Sequence, residues 1–169
     1  MVAVRWMLAL ASPLLLVSCA TTGASSAPVS LVRSDGTAIG TVRMRETSGG
    51  LALTVAAAGL PAGELGMHIH QVGRCDGPGF ESAGPHWNPA GKQHGRLNPA
   101  GRHAGDLGNL QVLTDGSVSV EVAGPNASVF DADGAALVIH AQRDDERTDP
   151  SGNSGARIAC AVLAGPGAN

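Results

Sequence analysis

The residues of this chain that could carry out chemistry are its histidines, and they are concentrated in one stretch. All six lie between positions 68 and 140: His68, His70, His86, His94, His103 and His140. A carboxylate, Asp106, follows three residues after the fifth of them. Imidazole is a good ligand for zinc and copper, and a structural zinc site needs only four ligands. Seven candidate ligands therefore predict two metal ions, or one ion and several histidines that do not bind it.

The positions of the histidines relative to the predicted strands favour a shared site. His68 and His70 are two apart on a predicted strand, so both side chains lie on the same face and could bind one ion. His140 ends a later predicted strand. A Gly- and Pro-rich stretch, 72–105, and a charged, then polar stretch, 142–156, each follow a strand that carries a histidine. Loops of this length in a compact domain are usually functional or disordered, and this placement favours function.

The remainder of the chain predicts short strands. Brief alternating or β-branched runs are separated by Gly, Asp, Asn and Pro, and no stretch has a long 3.6-residue apolar period. The predicted strands are 29–33, 38–46, 51–57, 66–71, 108–113, 117–122, 136–141 and 157–163. This spacing predicts an all-β fold, an antiparallel sandwich or barrel of eight strands with two long functional loops. There is no internal repeat.

Composition limits the functions that the chain can have. Its 169 residues are 43% hydrophobic and 15% charged, which is sufficient for one folded domain. It contains two Trp, two Phe and no Tyr, so the core must be mainly Val, Leu, Ile and Ala. The net charge of -3 argues against a nucleic-acid partner, because phosphate binding needs a clustered Lys and Arg surface.

The N-terminus predicts export. Residues 1–18 combine Arg5 with an apolar run that is short for a bilayer span, as in a signal peptide. The following Cys19 completes a segment, LVSC, that resembles the bacterial lipobox, in which the cysteine becomes the lipidated N-terminus; the alternative is an ordinary signal peptide with an incidental cysteine. Residues 19–28 predict a flexible tether and 29–169 the folded domain. We expect a lipid-anchored protein of the periplasm or cell envelope, and Ala20 implies sorting to the outer membrane.

Two cysteines remain after lipidation. Cys75 and Cys160 form an even pair in an exported protein, which predicts a disulfide bond. Closure of so long a loop would stabilise the fold by roughly 4 to 5 kcal/mol in the chain-entropy model. The alternative is a pair of buried free thiols.

Six segments together resemble one family. They are GMHIHQ (66–71), SAGPHWNP (82–89), HG (94–95), HAGDLGN (103–109), LVIHA (137–141) and GNSGARIAC (152–160). Their order and spacing are similar to those of the copper,zinc superoxide dismutase family in its exported bacterial form, over residues 36–163. The resemblance implies a Greek-key β-barrel, one copper and one zinc per subunit, and the conversion of superoxide to O₂ and H₂O₂.

The resemblance also implies a role for each candidate ligand. The implied copper ligands are His68, His70, His86 and His140. The implied zinc ligands are His86, His94, His103 and Asp106. His86 would thus bridge the two ions, and the family mechanism gives it a proton to accept and then donate.

Two further side chains match functional positions of the family. Asp144 matches a carboxylate that joins two ligands, here His68 and His94; otherwise it is a solvated member of a charged run. Arg157 matches the arginine that guides superoxide to copper; otherwise it is a surface arginine on a strand. The Cys75–Cys160 bond would tie the metal loop to the strand that carries Arg157.

Two other functions are compatible with a histidine cluster. A non-catalytic lipoprotein could store or transfer copper, or hold zinc alone, and a zinc hydrolase could use an activated water. Arg157 favours catalysis because storage needs no anion-guiding arginine, and no general-base Glu stands at helical spacing from a histidine pair. The expected partners are superoxide and, through the lipid, the membrane, and the protein is expected to be a monomer or a homodimer.

Overall fold

The structure, a computed structural model, describes residues 25–125 and 131–167. In these residues the chain forms eight strands, confirming the predicted all-β class. The strands are β1 (Val29–Arg33), β2 (Ala38–Thr47), β3 (Gly50–Ala57), β4 (Gly63–His70), β5 (Asp106–Val112), β6 (Val118–Ala123), β7 (Ala135–His140) and β8 (Arg157–Ala164). The predicted signal peptide and Cys19 lie outside the described residues. No helix in the described part has the length and hydrophobicity that a membrane span requires.

The strands form one antiparallel sheet that curves into a nearly closed barrel. Their order around the barrel is β5-β4-β7-β8-β1-β2-β3-β6. Strand β3 pairs with β2 and β6, whereas β4 pairs with β5 and β7, so the β3–β4 and β6–β7 connections cross between the two halves. This is the Greek-key arrangement implied by the resemblance.

Alternation of apolar and polar residues determines which face of each strand is buried. In β2, Val42 and Met44 are buried and pair with Val55 and Leu53 of β3, whereas their polar neighbours face outward. The core inside the barrel is mainly aliphatic, as the composition predicts, with Met and Trp87 added. Strand β7 differs because all six of its residues are buried, so both of its faces are covered.

The cover on the outer face of β7 and β8 comes from the first long loop. A disulfide bond between Cys75 and Cys160, with a Cα–Cα distance of 5.8 Å, ties this loop to β8 and confirms the predicted pairing. A small apolar cluster fills the space between loop and sheet: Phe80, Ala83, Ala136, Val138 and Cys160. The outer face of this half of the barrel therefore carries a second, smaller core, which packs the first long loop against the sheet.

The first described residues run beside β2, before β1 begins. Ser25 forms an isolated bridge with Arg45, and the Ser26 N–H donates to the Met44 carbonyl at 2.8 Å. In return the Met44 N–H donates to Ser26 Oγ at 3.0 Å. The last part of the segment predicted as a tether is thus paired with the barrel.

Candidate metal centre

The histidines on strands lie on the outer face of the barrel. His68 and His70 are at the end of β4, and their even spacing turns both away from the core that holds Met67 and Ile69. His140 ends β7, the next strand in the sheet. An isolated bridge between His70 and His86 brings the first loop histidine against the same strand end. The topology therefore gathers residues that are up to 72 positions apart in the sequence.

Four histidines form the group that we call the four-histidine group: His68, His70, His86 and His140. One ring nitrogen of each lies within 4.8 Å of those of the others, and all four side chains are buried. Each has one buried ring nitrogen without a hydrogen-bond partner: Nδ1 of His68 and Nε2 of the other three. Unpartnered buried polar atoms are costly and rare. The donor set and these orphaned nitrogens fit an ion that prefers imidazole.

A second set, the carboxylate group, comprises His86, His94, His103 and Asp106. The Nδ1 atoms of the three histidines lie 3.1, 3.0 and 3.4 Å from Asp106 Oδ1. Three nitrogens and one carboxylate are a suitable donor set for tetrahedral zinc. His86 belongs to both groups, since its Nδ1 faces Asp106 and its Nε2 is the orphaned nitrogen of the first group.

Ligand atoms of His68, His86, His94 and Asp106 also lie within 4.8 Å of one another, since the His68 ring stacks on the His86 ring with a centroid distance of 3.9 Å. His68 has only one nitrogen to offer, however, because its Nε2 is hydrogen-bonded to Asp144. His103, with an orphaned Nδ1, is the better fourth member by donor chemistry.

Asp144 lies between the two groups. Its Oδ2 is 2.8 Å from Nε2 of His68, and its Oδ1 is 3.0 Å from Nε2 of His94. The side chain is 1% exposed, so it is not a solvated member of the charged run, whereas Asp145 is partly exposed. Asn109 of β5 holds the Asp144 backbone through hydrogen bonds in both directions. The structure thus places Asp144 on the two ligands that the resemblance implies.

Backbone carbonyls orient two further histidines. The His70 Nδ1–H donates to the Gly84 carbonyl at 2.7 Å, and the His140 Nδ1–H donates to the Gly155 carbonyl at 3.1 Å. A ligand imidazole that donates its other N–H in this way has a fixed tautomer and ring orientation.

The electrostatics of the two groups differ. Burial lowers the pKa of His86 to about 4 and that of His140 to about 3, and it holds the pKa of His70 well below its usual value. Burial also opposes protonation of His94, but hydrogen bonds to Asp106 and Asp144 outweigh it and raise the pKa of His94 to about 9. The metal-free four-histidine group is thus neutral near pH 7, whereas His94 carries a proton between two carboxylates.

The two carboxylates remain ionised for a matching reason. Burial alone would raise the pKa of Asp106, but hydrogen bonds from His86, His94 and the Gly95 N–H lower it well below the ordinary range. The pKa of Asp144 is lowered against burial in the same way, by hydrogen bonds to His68 and His94. Both carboxylates are therefore available as anions at any physiological pH.

Arg157 begins β8 beside His140, to which it is paired in the sheet. Its guanidinium donates to the carbonyls of Phe80 at 2.7 Å and Gly84 at 2.9 Å. The Gly84 carbonyl therefore holds both Arg157 and His70. Arg157 is half-buried against the metal loop, which does not match the alternative of a free surface arginine.

The two long loops are joined near the carboxylate group by contacts that sequence reasoning missed. Arg96 forms a two-pronged ion pair with Glu146 at 2.8 and 2.6 Å, and the Leu97 N–H donates to the Glu146 carbonyl. The His94 N–H donates to Asp149 Oδ1 at 2.5 Å. The partners are 50 and 55 positions apart, and no motif links them.

These observations define a buried pair of metal-binding groups that share one histidine on the outside of a Greek-key barrel. The chain belongs to the copper/zinc superoxide dismutase family, whose model matches residues 38–163. Superoxide dismutase [Cu-Zn] 2 of Aquifex aeolicus is 43% identical over 91% of this chain and 95% of its own length. The family resemblance drawn from the six sequence segments is thereby confirmed.

Solved structures of similar proteins agree with this family assignment. A crystal structure of a SOD-like protein from Bacillus subtilis matches with a TM-score of 0.79 and 46% identity, over 83% of this chain and 100% of that one. The Cu/Zn superoxide dismutase from Brucella abortus matches with a TM-score of 0.69 and 32% identity, over 83% of this chain and 99% of that one. The barrel and the family chemistry of copper and zinc therefore apply to this chain.

Proposed function

We propose that this protein dismutates superoxide at a copper and zinc pair held by its two histidine groups. The observation that carries the proposal is the shared histidine. His86 directs Nδ1 at the carboxylate group and an orphaned, buried Nε2 at the four-histidine group. A histidine that serves two ions must lose its ring proton, and two adjacent dications make that loss favourable.

The donor chemistry assigns one ion to each group. All-imidazole coordination suits copper, so the four-histidine group is the proposed copper site. The carboxylate group offers three nitrogens and one oxygen, which suits a closed zinc site. Copper supplies one-electron chemistry, so that two superoxide ions and two protons yield one O₂ and one H₂O₂, whereas zinc has no redox role.

The residues of the chain bind and orient the reactants. The Arg157 guanidinium offers a positive charge to superoxide beside the four-histidine group, and this local attraction outweighs the repulsion from a net charge of -3. His86 Nε2 is the atom proposed to hold a proton and deliver it to the reduced oxygen. Asp144 keeps the rings of His68 and His94 oriented while that proton moves.

The experiment that tests the proposal is an assay of superoxide removal by the protein loaded with copper and zinc, before and after chelation. We expect chelator-sensitive activity and a drop of about tenfold in Arg157→Ala, since local steering is worth at least that much. Arg157→Lys should retain more activity than Arg157→Ala, because it keeps the charge while losing the two-carbonyl contact. Metal content should be equal in all three proteins.

Arg143 provides the matched control. It is an exposed arginine in the second loop that pairs with Glu64, and Arg143→Ala should change the activity by less than about twofold. A protein that binds one copper and one zinc per chain but is no more active than free copper would contradict the catalytic proposal. That result would favour metal storage or transfer.

We also propose that the protein is exported, loses residues 1–18 and is anchored by lipid on Cys19, so that it protects the cell envelope from superoxide. Support comes from the signal-like sequence of residues 1–18 and from the LVSC segment that ends at Cys19. Within the predicted tether, 19–28, Ser25 and Ser26 pair beside β2. The folded domain, 29–169, would then remain near the membrane in the cell envelope, and Ala20 favours the outer membrane. The protein would be a monomer or a homodimer.

Fractionation tests the anchor. We expect the protein in the membrane fraction and labelled by fatty acid, and we expect Cys19→Ser in the soluble fraction. Recovery of the unchanged protein from the soluble fraction without label would contradict the anchor. Light scattering on the detergent-solubilised protein distinguishes the monomer from the homodimer.

A further inference from the structure

The proposed ligands differ in how the ring nitrogen that faces away from the metal is held. His68 and His94 share Asp144, and His70 and His140 donate to backbone carbonyls. A metal-binding histidine almost always donates this N–H to a carboxylate, a carbonyl or water, because that contact fixes the ring and strengthens it as a ligand. His86 directs its Nε2 at the four-histidine group, and of the other two histidines of the carboxylate group only His103 has an Nε2 without a hydrogen bond in the described residues.

The group nearest to that nitrogen is a carboxylate from the second loop. Asp149 Oδ1 lies 3.8 Å from Nε2 of His103, about 1 Å beyond a good hydrogen bond. The same oxygen accepts the His94 N–H at 2.5 Å. One carboxylate oxygen thus faces both His94 and His103 of the carboxylate group.

Binding of zinc would complete this contact. His103 presents Nδ1 to Asp106, with 3.4 Å between the atoms. When Nδ1 binds a cation, the ring proton must reside on Nε2, which becomes a stronger donor aimed at the Asp149 carboxylate. A shift of about 1 Å in a half-exposed side chain forms the hydrogen bond.

We propose that Asp149 is a positioning residue of the zinc site, holding the His94 backbone and accepting the Nε2–H of His103. The inference rests on the proposed assignment of zinc to the carboxylate group. It makes the second loop a part of the zinc site through two carboxylates, Asp144 and Asp149. Zinc affinity, rather than copper affinity, should then depend on Asp149.

The test compares Asp149→Ala with Asp145→Ala. Asp145 is a matched control because it is an acidic residue of the same loop that accepts hydrogen bonds from the Arg147 and Thr148 N–H groups and contacts no ligand. Zinc affinity is measured by competition with a chromophoric chelator, and copper affinity is measured in parallel. We expect Asp149→Ala to weaken zinc binding by about 10- to 100-fold. Copper binding in Asp149→Ala, and zinc binding in Asp145→Ala, should change by less than about threefold.

Two further measurements separate positioning from folding. Asp149→Asn keeps an acceptor oxygen and should recover part of the lost zinc affinity, and the metal-free variants should melt within a few degrees of the unchanged protein. Cobalt(II) placed in the zinc site should give an altered visible spectrum in Asp149→Ala but not in Asp145→Ala. If Asp149→Ala does not fold, Asp149→Asn in the chelator and cobalt measurements decides the question.

The possible failures can be told apart. Zinc affinity unchanged in Asp149→Ala, or lost equally in Asp145→Ala, overturns the role of Asp149 and leaves the proposed function intact. Failure of the unchanged protein to bind one zinc per chain overturns both.

Discussion

The strand-borne and loop-borne histidines reach the same site by different physical means. His68, His70 and His140 lie on β4 and β7, where the pairing of strands fixes the backbone and period-2 geometry fixes the direction of the side chains. His86, His94 and His103 lie in a long loop whose regular structure, within the described residues, is one 3-10 turn, Glu81–Ala83. The loop is held instead by a disulfide bond, ion pairs and buried carboxylates.

The two groups also differ in protonation in the metal-free protein. The members of the four-histidine group are neutral because burial lowers their pKa, so a cation can bind there without displacing protons. In the carboxylate group, His94 holds a proton between Asp106 and Asp144, so a cation that binds His94 must displace it. A sheet therefore gives a preformed site, whereas a loop gives a site that its metal and surrounding carboxylates complete.

Removal of the Cys75–Cys160 bond should have the largest effect on stability, because this bond holds the loop. We expect the double variant Cys75→Ala, Cys160→Ala to lose roughly 4 kcal/mol of unfolding free energy in urea titrations, because the bond closes a separation of 85 residues. The strand-borne histidines should also be affected, because the first loop supplies the Gly84 carbonyl that orients His70. A loss below about 1 kcal/mol would mean that the small core under the loop holds the loop without the bond.

Changes of pH should reveal the opposite charge states of the two sides in the metal-free protein. Burial lowers the folded pKa of His86 to about 4 and that of His140 to about 3, below the ordinary value of 6.5, so their contribution to stability is present above pH 6.5 and is lost as pH falls towards 4. His94 has a folded pKa of about 9, so its contribution is present below pH 6.5 and is lost as pH rises towards 9. The unfolding free energy should therefore be greatest near pH 6.5.

Urea titrations of the metal-free protein from pH 4 to pH 9 measure this profile. His140→Gln should flatten the acid side and leave the alkaline side unchanged, which attributes the two slopes to different regions. A profile that rises continuously to pH 9 would contradict the charged state of His94.

The sequence predicts the strand side more completely than the loop side for a physical reason. Period-2 spacing is local, so the common face of His68 and His70 can be derived from neighbouring residues. The roles of the loop residues could only be implied by the family resemblance, because loop geometry depends on partners far along the chain. Asp144 lies where that resemblance implies, whereas the ion pair of Arg96 with Glu146 has no signal in the sequence.

Strand ends were also only partly predictable. β4 begins at Gly63, three residues before the predicted start, because Gly63 pairs with Val112 across the sheet. The segment before it, with Pro61 and Gly63, has the local composition of a turn. Pairing with β5 therefore decides the strand boundary, and a single strand read alone does not contain that information.

The smallest predicted effect is that of Arg96→Ala. Comparison with Arg45→Ala separates a contact near the loop histidines from a contact far from them. Each arginine is paired with a glutamate and has a side chain 41% exposed, but Arg45 lies on β2 with Glu121, away from the site. Arg45→Ala should lower the unfolding free energy by about 1 kcal/mol or less, as for exposed ion pairs. Arg96→Ala should lower it by more, roughly 1 to 3 kcal/mol, because its partner Glu146 has a side chain only 11% exposed.

The two variants should also differ in the proposed zinc site. Arg96→Ala releases Glu146, which lies two residues from Asp144 and donates its N–H to that carboxylate at 2.6 Å. A loss of about 1 kcal/mol there would weaken zinc binding about fivefold in chelator competition, while Arg45→Ala leaves it unchanged. Equal zinc affinities in the two variants would show that Asp144 is held by Asn109 without help from the ion pair. The Arg96–Glu146 ion pair would then contribute nothing to the position of Asp144 in the loop.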